Sequence, residues 1–251
     1  MKFTTIADAK RKTGLSYLGS VSISSKHVKA EKYGELTYGI YLAPANISGY
    51  EVCPMRTEGC TAVCLHESGH NRIDKGRITE SRIKKTKLFF EHREFFVDWM
   101  AAEIESWSKK AESRGMKFSV RINNTSDINP KSFYTVRDSK KINILEMFPN
   151  IQFYDYTKVG NRTALTHKYE NYDLTFSFSG ENMDACREAL ENGVRVAMVF
   201  KDKLPEDYMG YPVIDGDKYD MRYLDKGSVI VGLKYKKTKV KLTEDNSFVI
   251  Q

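Results

Sequence analysis

The sequence predicts an α/β fold, specifically an open or incomplete (β/α) barrel with a mainly parallel sheet and a C-terminal β-hairpin. Two observations favour this fold class. Strand-like apolar runs alternate with helical stretches from about residue 36 onward, which indicates parallel strands joined by helices. The length of 251 residues also suits a single barrel-like domain. A doubly wound parallel sheet is the alternative, because it has the same alternation.

The first strand of this sheet is predicted at residues 36–45, LTYGIYLAPA, an apolar run closed by Pro44. Residues 76–113 then place apolar side chains at helical spacing, which predicts one long or two short amphipathic helices. Gly115 follows them, as expected at the end of a helix. The cysteine-containing loop lies between the strand and the helices, so it would sit at the barrel mouth.

Later in the chain, four apolar runs predict strands, at residues 118–123, 151–156, 173–178 and 194–200. Residues 179–193 predict a helix, with Ser179 as its N-cap and Gly193 at its end. Two final runs, MRYLD and SVIVGLKYK, predict a hairpin that turns at Lys226 and Gly227.

We expect one domain over residues 1–251. It would comprise an N-terminal extension at 1–35, a barrel-like core at 36–235 and a C-terminal strand or tail at 236–251. No run approaches the roughly 20 apolar residues that span a bilayer, and the first residues are charged where a signal peptide is apolar. We therefore expect a cytoplasmic protein with no membrane partner.

The charge balance favours an anionic partner. The 40 Lys and Arg against 33 Asp and Glu give a formal charge of +7, and the sequence pI is ≈ 9.0. Basic residues concentrate at 72–93 and 234–241. The first stretch could follow a phosphate backbone, although a solvated helix face has the same pattern. The partner expected from charge is an anionic small molecule or a nucleic acid.

Three of the four cysteines, Cys53, Cys60 and Cys64, lie within twelve residues, which predicts a metal site rather than disulfides in a cytoplasmic chain. Three thiolates can hold a [4Fe–4S] cluster and leave one iron open. Zinc is the alternative metal, with His66 or His70 as its fourth ligand. The fourth cysteine, Cys186, lies on the apolar side of a predicted helix, so it is a core thiol or, alternatively, a further cluster ligand.

An ordered series of motifs resembles a family of phage proteins called gene product eighty-eight. The motifs are CPMRTEGCTAVCLHESG, VRINNTSDI, FYDYTK, LTFSFSGEN, VAMVF and VIDGDKYDMRYLD. The resemblance runs from about residue 36 to residue 235. It implies a phage origin, and hence the host cytoplasm as the location.

The chain also has a looser resemblance to the radical S-adenosylmethionine enzymes, which place three cysteines after the first strand of a partial (β/α) barrel. Most of those enzymes use C-x3-C-x2-C, whereas this chain has C-x6-C-x3-C and no Gly-Gly-Glu segment after its second strand. The resemblance implies a [4Fe–4S] cluster with S-adenosylmethionine as a further cofactor.

Polar residues follow the predicted strands and would meet at the mouth of a parallel sheet. The candidate ligand-binding residues are Arg121, Asn123, Asp127, Asp155 and Lys158. Arg121 and Lys158 would hold an anionic group, and Asp127 and Asp155 would pair with those cations when it is absent. We therefore expect one pocket shared with the cysteines.

Three function hypotheses follow. The first is a phage-type iron–sulfur protein with a three-cysteine cluster at a barrel mouth, with radical S-adenosylmethionine-like chemistry as its enzymatic form. The alternative is a non-catalytic binding module, stabilised by iron–sulfur or zinc, that contacts nucleic acid or a host protein. The third is a nuclease that holds divalent metal on Asp215, Asp217 and Asp220.

Overall fold

A computed structural model describes residues 3–22, 24–64, 76–236, 242–243 and 246–251. The strands are β1 Gly19–Ser20, β2 Glu35–Ile40, β3 Lys117–Arg121, β4 Tyr134–Arg137, β5 Lys140–Asn143, β6 Gln152–Thr157, β7 Tyr172–Ser177, β8 Val196–Phe200, β9 Asp207–Tyr208, β10 Tyr211–Asp215, β11 Ile230–Lys234 and β12 Val249–Ile250. The α-helices are α1 Ile6–Thr13, α2 Ser25–Glu31, α3 Glu58–Ala62, α4 Arg77–Glu91, α5 Arg93–Ser113, α6 Ile144–Met147, α7 Leu165–Lys168 and α8 Met183–Glu191.

The main sheet is mostly parallel, as predicted. Strands β2, β3, β6, β7 and β8 lie side by side in chain order, and β11 and then β10 continue the parallel array. Short antiparallel partners, β1 and β9, border it, while β4 and β5 form a separate hairpin. In the described residues the path of hydrogen-bonded strands runs from β1 to β9 without closing, so no closed barrel is shown.

The sheet is nevertheless strongly curved. In a flat sheet, six strand spacings of about 4.8 Å would place β2 about 29 Å from β10. However, Lys26, on the helix beside β2, donates from Nζ to the carbonyl of Gly216, one residue after β10, at 3.2 Å. A lysine side chain cannot span that flat distance. The two ends of the parallel array are therefore brought toward each other.

One face of the sheet is apolar and is covered by helices. Trp99 and Phe96 on α5 are buried with β2, β3 and β6 side chains, and Leu190 on α8 is buried with those of β7 and β8. Each fully buried side chain of this size stabilises the fold by about 1.5–3 kcal/mol. The helical region 76–113 is two helices, because the backbone leaves the helical conformation at His92, with φ −141°.

The opposite face, called the inner face below, is polar and buried. Its buried polar side chains include Thr37 on β2, Ser119 on β3 and Thr175 on β7, with Arg195 directly before β8. The segment 217–225 and helix α2 cover it. In this segment, Arg222 has no exposed surface, and the Tyr223 ring lies 5.5 Å from that of Tyr154 on β6. In a doubly wound sheet both faces would be apolar, so the buried polar inner face differs from that alternative.

The predicted C-terminal hairpin around Lys226 and Gly227 is wrong. Residues Arg222–Leu224 form a 3₁₀ turn, and β11 pairs in parallel with both β8 and β10. The physical reason is burial on both sides of the strand: Ile230 and Val231 have no exposed surface. A run this apolar gains more from a central position in the sheet than from an edge.

Two smaller expectations also need correction. Ser179 does not cap helix α8, because the helix begins at Met183 with Asn182 as its N-cap residue. Gly180, at φ +98°, turns the chain first, and the Ser179 amide donates to Asn182 Oδ1 at 2.7 Å. In addition, the segment assigned to an N-terminal extension supplies β1 and the start of β2, so the sheet begins before residue 36.

Candidate functional site

The cysteine segment lies at the carboxyl edge of the parallel strands. Thr57 caps helix α3 by accepting from the amide of Cys60 at 3.1 Å. The same hydroxyl donates to the carbonyl of Ser179 at 2.5 Å, which ties the helix to the end of β7. Helix α3 ends at Ala62, so Cys64 lies beyond it rather than one turn along a continuous helix from Cys60.

Lys158, directly after β6, lies beside the cysteines. Burial lowers the pKa of Lys158, but the neighbouring groups of Cys60, Asp127 and Cys53, when ionised, outweigh burial and raise that pKa above its usual value. Cys64 acts on the same ammonium group. The three cysteines, of which the first and last are eleven residues apart along the chain, therefore all lie near one cation. We call Cys53, Cys60, Cys64 and Lys158 the thiol–lysine site.

The thiols of this site are partly buried, and none of the four cysteines forms a disulfide. Cys53 Sγ lies 3.8 Å from the carbonyl oxygen of Thr125. Burial raises the pKa of Cys53 to about 12. In the metal-free chain this thiol is therefore protonated at neutral pH, and a metal would have to displace its proton.

Within the described ranges, no three His, Cys, Asp or Glu side chains are arranged closely enough to hold one metal ion. The chemistry of the donor set fits a thiolate-loving metal, but the three thiols must draw closer together to bind one. Two of the residues considered as zinc ligands, His66 and His70, lie outside the described residues.

Cys186 lies on helix α8 and has no exposed surface. Its Sγ is 3.8 Å from Asn182 Oδ1, and it packs among the apolar side chains between that helix and the sheet. Burial raises its pKa to about 12, although Lys158 acts in the opposite direction. These contacts are those of a core thiol.

Asp127, Asn123 and Asp155 form a buried hydrogen-bonded group behind the thiol–lysine site. Asp127 accepts from the backbone amide of Lys158 at 2.8 Å and forms an ion pair with Arg162. Asp155 accepts from the amide of Asn123 at 2.9 Å and from its Nδ2 at 3.1 Å. These residues fix the loops that follow β3 and β6.

Arg121 points to a different place, on the inner face. It donates to Asp220 at 2.5 Å, and Asp220 also contacts Lys26 Nζ at 3.1 Å and the Tyr156 hydroxyl at 3.2 Å. Burial raises the pKa of Asp220, but Arg121 and Lys26 outweigh it and hold that pKa well below its usual range. This carboxylate is fully ionised in the folded protein.

The expected pairing of charges at the mouth is therefore corrected. Asp127 and Asp155 do not pair with the side chains of Arg121 and Lys158: Arg121 pairs with Asp220, and Asp127 pairs with Arg162. The reason is that β3 ends at Arg121. The regular alternation of side chains therefore stops there, and Arg121 and Asn123 bond to different partners. Anion binding by the strand-end residues remains a prediction.

The carboxylates considered for a divalent metal are also separated. Asp220 is buried against two cations, whereas Asp217 forms an ion pair with Lys236 at 3.2 Å and Asp215 is exposed. Asp215 Oδ1 accepts from the amide of Asp217 at 2.8 Å, as in a tight turn. The geometry does not support a metal-dependent nuclease centred on these residues.

Some residues around the site could not be found from the sequence. Arg162 has no motif around it. Phe248 lies in the segment 236–251, which was predicted only as a strand or tail, yet its ring is 5.6 Å from Lys158 Nζ. His27, buried on α2, contacts Asn124 Oδ1 through Nε2 at 3.1 Å. The sequence offered one indirect signal for such residues: polar side chains within the predicted strands, which need buried partners elsewhere in the chain.

Asp155 is expected to make stability depend on pH. Burial raises its pKa to about 7, although Arg121 and the amide of Asn123 act in the opposite direction. Because the folded-state pKa exceeds the unfolded value of about 4, the stability that Asp155 contributes is fully present below about pH 4 and is lost by at most about 1.4 kcal/mol per pH unit up to pH 7. Urea unfolding from pH 4 to 8 should show this decline in the native chain and a smaller one in Asp155→Asn. Equal declines would contradict the assignment.

The fold and the site together define an α/β protein with a cysteine-rich site at the carboxyl edge of a curved, mostly parallel sheet. Among the described residues, no helix is both long and apolar enough to cross a lipid bilayer. The family model described as Gene product 88 matches residues 9–251. The chain belongs to the Gene product 88 family, which supports the phage family that its motifs resemble. No curated protein and no solved structure matches it significantly.

Proposed function

We propose that this protein carries a [4Fe–4S] cluster on Cys53, Cys60 and Cys64. The observation that carries the proposal is the position of these three cysteines at the carboxyl edge of the sheet. Cys53 Sγ lies 3.8 Å from the Thr125 carbonyl after β3, and Thr57 joins helix α3, which holds Cys60, to Ser179 after β7. All three act on the Lys158 ammonium after β6. Ligand sites in α/β folds collect at that edge. A three-cysteine set also leaves one iron without a protein ligand, where an external molecule can bind.

Charge balance supports this proposal. A cluster held by three thiolates carries net negative charge, and a buried charge needs a partner. Lys158 supplies a positive charge beside all three cysteines. The same ammonium group would attract an anionic ligand, such as a carboxylate, to the open iron. Arg121 does not serve in this way, because it is already paired with Asp220.

The proposal includes an open barrel as the form of the fold. Its support is the strong curvature measured by the contact between Lys26 and Gly216, together with the polar inner face. The cysteine segment follows β2, the first of the parallel strands, and α3 is bonded to the end of β7. The cysteines therefore lie across the mouth of this curved sheet.

The proposal is tested by purifying the full chain without oxygen and assaying iron, acid-labile sulfide and zinc. The expected result is a brown protein with iron and sulfide in near-equal amounts and a broad absorption that bleaches on reduction. Stoichiometric zinc without sulfide, or no metal after reconstitution with iron and sulfide, would reject the cluster.

Radical S-adenosylmethionine chemistry is a narrower form of the proposal. It is supported by topology alone, since the cysteine segment follows the first parallel strand, and the comparisons with known proteins give it no support. The reduced protein would cleave S-adenosylmethionine to methionine and 5′-deoxyadenosine. Absence of both products from a protein with a full cluster would remove the enzymatic form and leave the iron–sulfur protein.

The second candidate function is a non-catalytic, metal-stabilised module that binds nucleic acid or a host protein. The observation that favours it is the internal pairing of the strand-end charges, Arg121 with Asp220 and Asp127 with Arg162. Charges already paired within the fold are less available to a substrate. Zinc would serve in this role as well as a cluster. Metal content, followed by binding to nucleic acid at two salt concentrations, separates this candidate from the first.

A further inference from the structure

We propose that residues 246–251, called the cover segment below, close the thiol–lysine site and control access to it. The control of access to a cluster rests on the proposed function, whereas the closure of the thiol–lysine site by this segment does not. Three independent features of the cover segment support this inference: its attachment to β8, the glycines that leave room for it, and the groups that it lies against.

The cover segment is attached where two neighbouring strands separate. Strand β8 pairs with β7 at Val196 and Ala197, and with β12 at Val199 and Phe200. Strand β12 therefore takes the place beside β8 that β7 leaves free near the carboxyl edge. The carbonyl of Ile250 also accepts from the amide of Lys201 at 2.9 Å. Crevices between separating strands at this edge are where α/β proteins bind ligands.

Two glycines from different elements leave room for the cover segment. A Cβ atom at Gly180 would lie 2.6 Å from Ser247 Oγ and 2.9 Å from the Phe248 amide nitrogen. A Cβ atom at Gly59, on helix α3, would lie 3.3 Å from each of the same two atoms. The turn at Gly180 after β7 and helix α3 at Gly59 therefore both lie so close to the cover segment that a side chain at either position would press against it.

The cover segment lies against the functional groups themselves. Asn246 Nδ2 donates to the carbonyl of Gly59, the residue before Cys60, at 3.2 Å. The Phe248 ring is 5.6 Å from Lys158 Nζ, within the range of a cation–π contact. The segment thus holds the cysteine helix at one end and shields the lysine with an aromatic ring. A ligand that reaches Lys158 from this side must displace Phe248.

The test measures reagent access in the full, metal-free chain, so it does not depend on a cluster. Lys158 is labelled with an amine-reactive ester and Cys60 with iodoacetamide, and the rates are read by peptide mass spectrometry. In Phe248→Ala we expect both rates to rise about tenfold, which corresponds to about 1.4 kcal/mol of lost docking. Phe148→Ala is the matched control, because Phe148 is also partly buried but packs against the core that contains Phe96 and Trp99 of helix α5.

A second variant distinguishes opening of the cover segment from a general loss of folding. Gly59→Ala keeps the cover segment intact and favours helix α3 intrinsically, but its Cβ pushes against Ser247 and Phe248. It should also speed the labelling of Lys158. Unchanged rates in both variants, or an equal rise in Phe148→Ala, would overturn the inference. Faster labelling in a chain that never binds iron would instead reject the proposed cluster and retain the cover.

Discussion

Replacement of Cys53, Cys60 or Cys64 by Ala, one at a time, is expected to reduce bound iron and sulfide by at least about tenfold. Loss of one of only three thiolates leaves too few protein ligands to retain a cluster. The folded chain should survive each change, because all three thiols are only partly buried and form no disulfide. Iron and sulfide assays after anaerobic reconstitution, with circular dichroism to confirm folding, measure the effect.

Cys186→Ala is the matched control for this series. It removes a thiol with no exposed surface, so we expect a moderate loss of stability from the cavity but full retention of iron. A folded Cys186→Ala chain without iron would contradict the three-cysteine cluster, because all four cysteines would then be ligands. Retention of iron in any of the three site variants would also contradict it.

Asp220→Ala is expected to lower the free energy of unfolding by about 3–5 kcal/mol. The change removes a carboxylate that is 1% exposed and leaves the Arg121 guanidinium without its partner on the buried inner face. Lys26 loses its ion pair at the same time. Urea unfolding of the variant and the native chain at pH 7 gives the difference directly.

Asp202→Ala serves as the control, because Asp202 is an exposed carboxylate, and its removal should cost less than about 0.5 kcal/mol. The double variant Arg121→Met with Asp220→Leu should recover part of the stability, since it removes this buried ion pair together and leaves only Lys26 without its carboxylate partner. A loss below about 1 kcal/mol in Asp220→Ala would show that the carboxylate does not hold the inner face together.

The parallel strands were predictable because each buries a short apolar run. The predicted strand at 151–156 is observed as Gln152–Thr157, and that at 173–178 as Tyr172–Ser177. The last elements were not predictable by the same signal. Whether Ile230–Lys234 is a hairpin strand or a central parallel strand depends on contacts with Val196–Phe200, which local periodicity does not contain.

The candidate site shows the same division. Clustered cysteines were visible in the sequence, and Lys158 followed from the expectation that strand ends meet at one edge. The partner of Arg121 was not visible, since Asp220 is 99 residues away and follows a strand that only the curvature of the sheet brings near. Residues 236–251 were predicted as a strand or tail, but the pairing of Val249–Ile250 with β8 was not predictable, because a strand of two residues has no periodic pattern.

The covering of the inner face has a consequence for synthesis and folding. Asp220 contacts Lys26 across 194 residues, and Tyr223 contacts Glu35 across 188. Until residues 217–225 leave the ribosome, Lys26, Glu35 and Arg121 lack the partners that they have in the folded chain, so the inner face is completed only late in translation. Contacts of such long sequence separation slow folding. We therefore expect the chain to fold late and as a unit after release, with early strand edges open to chaperones in the meantime.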